Sequence, residues 1–152
     1  MTAPSAIDGT RLRTSEFRAD ASDASGRLPL ALDGDADTRW LTGRPQAGDE
    51  WIRIEFDRTR DVARIGLQMA ERSFGDYPRD VVIESESGVG PAAVLHHERS
   101  LLAFGQALAA GSSYPWITIS LPANRTRTLT IRQTGRTRRW FWSVHELAVW
   151  ER

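Results

Sequence analysis

The chain has 152 residues, 40% hydrophobic and 26% charged, and its 20 basic residues, all arginine, balance 20 acidic ones to a net charge of zero. That is enough for one domain around one core, while zero net charge argues against global attraction to nucleic acid or an anionic membrane. Cysteine is absent, which excludes disulfides, thiolate metal sites and cysteine nucleophiles, and no apolar run approaches the roughly 20 residues of a bilayer span.

Met1–Thr10 is polar, lacks the basic-then-apolar layout of a secretion signal, and reads as a flexible lead-in over residues 1–10 to a single domain over 11–152. The whole reads as a soluble piece of a larger protein whose targeting signal lies elsewhere. An early strand is expected near Arg11–Arg18. An Asp-rich loop follows, and from Trp51 onward period-two segments dominate. Trp51–Asp57 alternates Trp51, Arg53 and Glu55 against Ile52, Ile54 and Phe56, a half-buried strand. Further strands are expected at Val62–Met69, Asp80–Glu86, Ala93–Arg99, Trp116–Leu121, Thr128–Gln133 and Ser143–Trp150. Leu101–Ala109, interrupted by Gly105, is equally compatible with a helix and an irregular loop. Turn chemistry separates the segments at Asp33-Gly34, Phe74-Gly75-Asp76, Ser87-Gly88, Gly111-Ser112-Ser113 and Gly135. Many short strands without alternating helices predict an all-β, antiparallel jelly-roll sandwich.

The loop Leu30–Trp40 places Asp33, Asp35 and Asp37 within five residues. Such crowding costs Coulomb energy unless the loop is solvated or holds a cation. It is not an EF-hand. With Asp33 in first position, the sixth is Thr38 instead of glycine and the twelfth is Arg44 instead of glutamate.

The segments A-L-D-G-D-A-D-T-R-W, D-E-W-I-R-I-E-F-D, Y-P-R-D-V-V-I-E-S-E-S-G and the closing L-T-I-R-Q-T-G and W-S-V-H-E-L-A-V-W occur in the order of the discoidin, or coagulation-factor type C, domains. The chain resembles these from about Leu12 to its end, and is similar to the galactose-binding-like carbohydrate-binding modules that share their fold. The resemblance implies an eight-stranded jelly roll with a structural calcium, or in some members sodium. Its ligands would be the carbonyl of Leu30, the side chain of Asp33, Asp35, Thr38, the carbonyl of His145 and the carboxylate of Glu146. These are hard oxygen donors from one tight loop, closed by a carboxylate on the last strand. Gly34 lets the loop wrap inward, and Asp37 would cap or support the loop without being a ligand.

The resemblance also places a ligand on loops at one end of the sandwich, here Leu41–Asp49, Glu71–Tyr77 and Gly135–Trp142. They carry Arg44, Glu71, Arg72, Phe74, Arg138, Arg139, Trp140 and Phe141, and an aromatic plane flanked by guanidinium and carboxylate groups suits a sugar. Trp142 is expected in the core, and at least one of Trp140 and Phe141 on the surface. Leu41 and Arg44 stand where galactose binders often carry a histidine and an aromatic, so the resemblance implies a glycan without specifying galactose. No catalytic constellation is evident: His96 and His97 face opposite sides of a strand, and Glu84 and Glu86 share a solvated face. The expectation is a non-catalytic module, monomeric within a larger secreted or extracytoplasmic bacterial polypeptide. Nucleic-acid binding through the arginines of Arg125–Arg139, phospholipid binding through Phe74, Trp140 and Phe141, and a structural or protein-interaction role appended to an enzyme are the rival readings.

Overall fold

The computed structural model describes residues 9–152. Strand β1 (Thr10–Arg11) leads through a 3-10 turn at Thr14–Glu16 into β2 (Phe17–Ala21), and a longer 3-10 segment at Ser25–Ala31 precedes the Asp-rich loop. Then come β3 (Trp40–Leu41), β4 (Glu50–Arg60), β5 (Val62–Gln68), a 3-10 segment at Glu71–Asp76, β6 (Asp80–Glu86), β7 (Ala93–Arg99) and α1 (Leu101–Ala109). The chain closes with β8 (Trp116–Ser120), β9 (Thr126–Gln133), β10 (Ser143–Val144) and β11 (Glu146–Glu151). Eight of these strands are five residues or longer, which matches the expected eight-stranded jelly roll.

All pairings are antiparallel. One sheet runs β1-β11-β5-β8, the other β2-β4-β9-β6-β7, and a small ribbon pairs β10 with β3. The period-two pattern is realised directly: Ile52, Ile54 and Phe56 of β4 are buried while Arg53 and Glu55 are exposed. They meet Leu129 and Ile131 of β9 and Val81 and Ile83 of β6 in a single core cluster, closed from the other sheet by Ile65, Leu67, Ile117, Leu147 and Val149. Burying this apolar set is the main favourable term in folding.

Three expected boundaries shift where the chain changes pairing, the strands expected at Trp51–Asp57 and Thr128–Gln133 run longer, as Glu50–Arg60 and Thr126–Gln133, and one open alternative is decided. The lead-in assigned to residues 1–10 ends early, because Thr10 already pairs with Glu151; residues 1–8 lie outside the described residues. The strand expected over Arg11–Arg18 is split, because the chain crosses there from one sheet to the other. Glu16 caps the crossing turn by accepting the Arg13 N–H at 2.7 Å. The last strand is split at His145, where the chain leaves its pairing with β3 and joins β5. Finally, Leu101–Ala109 is helical. Phe104 anchors it, stacked on Tyr77 at 4.1 Å and edge-on to Phe74 at 6.3 Å.

Candidate functional site

The Asp-rich loop folds so that oxygen atoms converge. Thr38 Oγ1 lies 2.5 Å from Asp33 Oδ2, 3.0 Å from the Asp35 carbonyl and 3.1 Å from the Leu30 carbonyl. Glu146 reaches the same loop from the start of β11, its Oε2 accepting the Gly34 N–H at 3.2 Å. Burial raises the Glu146 carboxyl above its ordinary range, opposed by the Gly34 N–H and Arg11, while the Asp33 and Asp35 charges raise it further. Hydrogen bonds from Thr38 and from the Asp35 backbone lower Asp33. The donor set is entirely hard oxygen and draws on carbonyls and a hydroxyl as well as carboxylates, which fits calcium or sodium. Among the described residues, no three His, Cys, Asp or Glu side chains form a metal-binding group by themselves.

His145, expected to take part through its carbonyl, meets the loop through its side chain. The ring is buried, its Nδ1 lies 2.6 Å from the Ala36 carbonyl and its Nε2 2.7 Å from Ser73 Oγ. A carbonyl only accepts, so the proton belongs on Nδ1 and Nε2 accepts from Ser73. Burial holds the ring's pKa down. His145 thereby ties the Asp-rich loop to the 3-10 segment Glu71–Asp76. Arg72 makes a second tie by donating to the Asp37 carbonyl, and Tyr114 donates to the Asp37 carboxylate.

The loops expected to carry a ligand are drawn together by Gln46, which is buried at 2% exposure. Its Nε2 donates to the Tyr77 and Phe141 carbonyls, its Oε1 accepts the Arg79 N–H, and its own N–H donates to the Trp140 carbonyl. Beneath it, Trp40 and Trp142 pack edge to face at 5.1 Å and close the end of the core, as expected for Trp142.

On this base Trp140 is 38% exposed and lies over Gly75, where an added Cβ would come 2.5 Å from the indole ring. The Arg139 guanidinium sits 4.8 Å from the same ring. Arg138, Glu71 and Arg72 are exposed nearby in the sequence of these loops, and Phe141 is half-buried. Besides Arg72, which donates to the Asp37 carbonyl, two expected ligand residues are occupied otherwise. Phe74 packs on Phe104. Arg44 is braced by Asp23 at 2.7 Å, Asp49 at 2.8 Å and the fully buried Glu50 at 3.2 Å, so its donors face these carboxylates.

Gln46, Glu50, Gly75, Tyr77, Arg79 and the His145 ring are the residues that sequence reading missed. Gly75 carried a signal as part of a turn, and Glu50, Tyr77, Arg79 and His145 lay in the family segments without a role assigned to these side chains. Apart from Gly75, all act through loop-to-loop contacts with no periodicity to betray them. Asn124, in a formal glycosylation sequon, is likewise structural. Its Nδ2 donates to the Val62 and Pro122 carbonyls at 2.8 and 2.7 Å. Of the arginines in Arg125–Arg139, Arg132 pairs with Glu84 at 3.0 Å.

The family model for the F5/8 type C domain matches residues 13–90. The chain belongs to this family. The F5/8 type C domain is similar over nearly its whole length to CBM32-3 of a family 31 glycoside hydrolase from Clostridium perfringens, with a TM-score of 0.70, 19% identity and 93% and 95% of the two chains covered. The family 32 CBM of NanJ from the same organism, solved with galactose, gives a TM-score of 0.69 at 18% identity over 93% and 98% of the chains. At these identities the likeness establishes the fold, a galactose-binding-like β-sandwich. In sequence, the domain is 27% identical over 121 residues to an Alpha-(1->3)-arabinofuranosyltransferase of Mycobacterium tuberculosis (strain ATCC 25618 / H37Rv). That match spans 76% of this chain and 8% of the transferase. Among the described residues, no helix of this F5/8 type C domain is long and apolar enough to cross a membrane.

Proposed function

We propose that this domain binds a glycan without catalysing a reaction, on the loop end centred on Trp140, as an accessory part of a larger secreted or cell-envelope glycoenzyme. The observation that carries the reading is the partly exposed Trp140 ring seated on Gly75. An indole plane offers the apolar face of a sugar a stacking partner, and flanking guanidinium and carboxylate groups give its hydroxyls directional hydrogen bonds. Arg139, Arg138 and Glu71 supply those groups, with Arg72 held beside them by the Asp37 carbonyl. Support also comes from relatives of the same fold solved with galactose and with GalNAc-beta-1,3-galactose. The accessory role is supported by the transferase, of which a domain of this kind is a small part.

The cation belongs to the same reading as a structural element. Calcium, or sodium in its place, would be held by the carbonyls of Leu30 and His145, by Asp33, Asp35 and Thr38, and by Glu146. When bound it would supply a fixed positive centre linking the N-terminal loop to the last strand. His145 and Arg72 extend that link to the segment bearing Gly75.

The test is a glycan panel that includes galactose, N-acetylgalactosamine and arabinofuranosyl saccharides, followed by titration of the best ligand. Binding in about the micromolar-to-millimolar range is expected, weakened at least tenfold by Trp140→Ala. Unchanged affinity in that variant would remove the loop end as the binding surface.

A further inference from the structure

The outer face of the four-stranded sheet carries a second aromatic platform, built on strands and not on the loops around Trp140. The register aligns three rows across it: Arg11, Trp150, Arg64 and Ser120; then Ala148, Gly66 and Thr118; then Glu146, Gln68 and Trp116. Trp116 and Trp150 lean over Gly66 from opposite corners, with ring centroids 6.0 Å apart. A Cβ at Gly66 would approach both rings to 2.8 Å, so glycine lets the rings lie low on the sheet. The guanidinium of Arg64 stacks 4.3 Å from Trp150, and that of Arg11 lies 5.6 and 5.9 Å from the two rings.

Two features separate this face from ordinary sheet packing. The first is charge. Arg11 lies 3.5 Å from Glu146, but Arg64 pairs with no carboxylate among the described residues, and its buried Nε has no hydrogen-bond partner there. Arg64 lies close over the Trp150 ring and Arg11 within cation–π reach of both rings, which holds the two guanidiniums beside the platform for a carboxylate or similar anion. The second is shape. Beside the rings, between β8 and α1, lies a cavity of about 520 Å³ lined by Gln68, Gln106, Tyr114, Trp116 and Thr118 among others. Its size is that of a small-ligand site. Its polar groups are uncharged amides and hydroxyls, the partners that sugar hydroxyls use. From Arg64 to Gln68 is four residues along β5, roughly 13 Å at about 3.3 Å per residue, a span for a di- or trisaccharide.

We infer that this sheet face is a second binding surface, for an acidic oligosaccharide whose anionic group meets Arg64 and Arg11 while a neighbouring ring lies against Trp116 in the cavity. It stands independently of the loop-end site. The experiment titrates trigalacturonate, and neutral galactotriose as the contrast, into the domain and into Arg64→Gln, Thr118→Glu and Trp140→Ala. Thr118 is exposed and Arg64 half-exposed, so neither variant disturbs the core.

Trigalacturonate should shift the indole N–H resonances of Trp116 and Trp150. Its affinity should fall at least tenfold in Arg64→Gln and in Thr118→Glu and persist in Trp140→Ala, and it should weaken with added salt. No binding of trigalacturonate, shifts confined to Trp140, or unchanged affinity in both sheet-face variants would overturn the inference. Equal binding of galactotriose at this face would overturn its acidic assignment. Loss of trigalacturonate binding in Trp140→Ala would overturn it too, whereas loss of neutral-glycan binding in that variant bears only on the loop end.

Discussion

Arg44 illustrates how residue chemistry and residue role part company. A guanidinium in a polar loop is a natural sugar-binding group, but this one meets three carboxylates, and its pKa lies far above any accessible pH. Its hydrogen bond holds the Asp23 carboxyl below the usual range, with burial opposing and Ser22 assisting. A depressed folded pKa stabilises the fold above the unfolded value of about 4 and loses that contribution as pH falls through the lower folded value. Arg44 is 37% exposed, so screening limits the pair to about 1 kcal/mol. Asp23→Asn should therefore be less stable than wild type by about that amount at pH 6. The gap should close as pH falls from about 4 toward 2, measured by urea unfolding. A gap constant across that range would show that Arg44 does not set the Asp23 titration. Trp140 is the converse case, because its sequence neighbourhood suggested an exposed aromatic and the structure supplies the glycine on which it rests.

At the scale of the element, the strands follow their alternation and the helix does not follow its sequence so simply. Asp80–Glu86 and Ala93–Arg99 form with the expected bounds. In the first, burying Val81 and Ile83 leaves one register that buries the right face, while the second has no buried residue and is held at the sheet edge by its pairing with β6. Leu101–Ala109 contains Gly105, which left helix and loop equally open. Its helix is decided by Phe104, whose contacts with Phe74 and Tyr77 reward the helical form. Gly105 keeps a helical backbone with open space where a Cβ would stand. Gly105→Ala should thus stabilise the domain by about 0.5–1 kcal/mol through lower unfolded-state entropy and higher propensity, read as a raised urea midpoint. A lowered midpoint would mean that the open space is used by another group.

At the scale of the molecule, the Asp-rich loop and β11 join the two ends of the described chain. Thr38, Asp33 and the Leu30 and Asp35 carbonyls gather at one end of that link, and Glu146 completes it. Without a cation the three loop aspartates and Glu146 repel one another, and binding to the folded form alone stabilises it by mass action. Thermal unfolding in millimolar calcium should occur several degrees above that in chelator, with Glu146→Gln narrowing the difference. Coincident curves for wild type would dismiss the structural cation.

The sequence by itself determined the all-β class, the strands from β4 to β9, the buried Trp142 and the loop in which oxygens gather. Each of these is local: alternation sets which face of a strand is buried, and adjacent aspartates declare themselves by proximity in the chain. Only the tertiary structure decided which residues hold the loops together and which surfaces are left to bind. Gln46 joins Tyr77, Arg79, Trp140 and Phe141, and Gly66 sets Trp116 beside Trp150. These partners are brought close by sheet register and loop crossing, which pair residues far apart in sequence and leave no periodic trace.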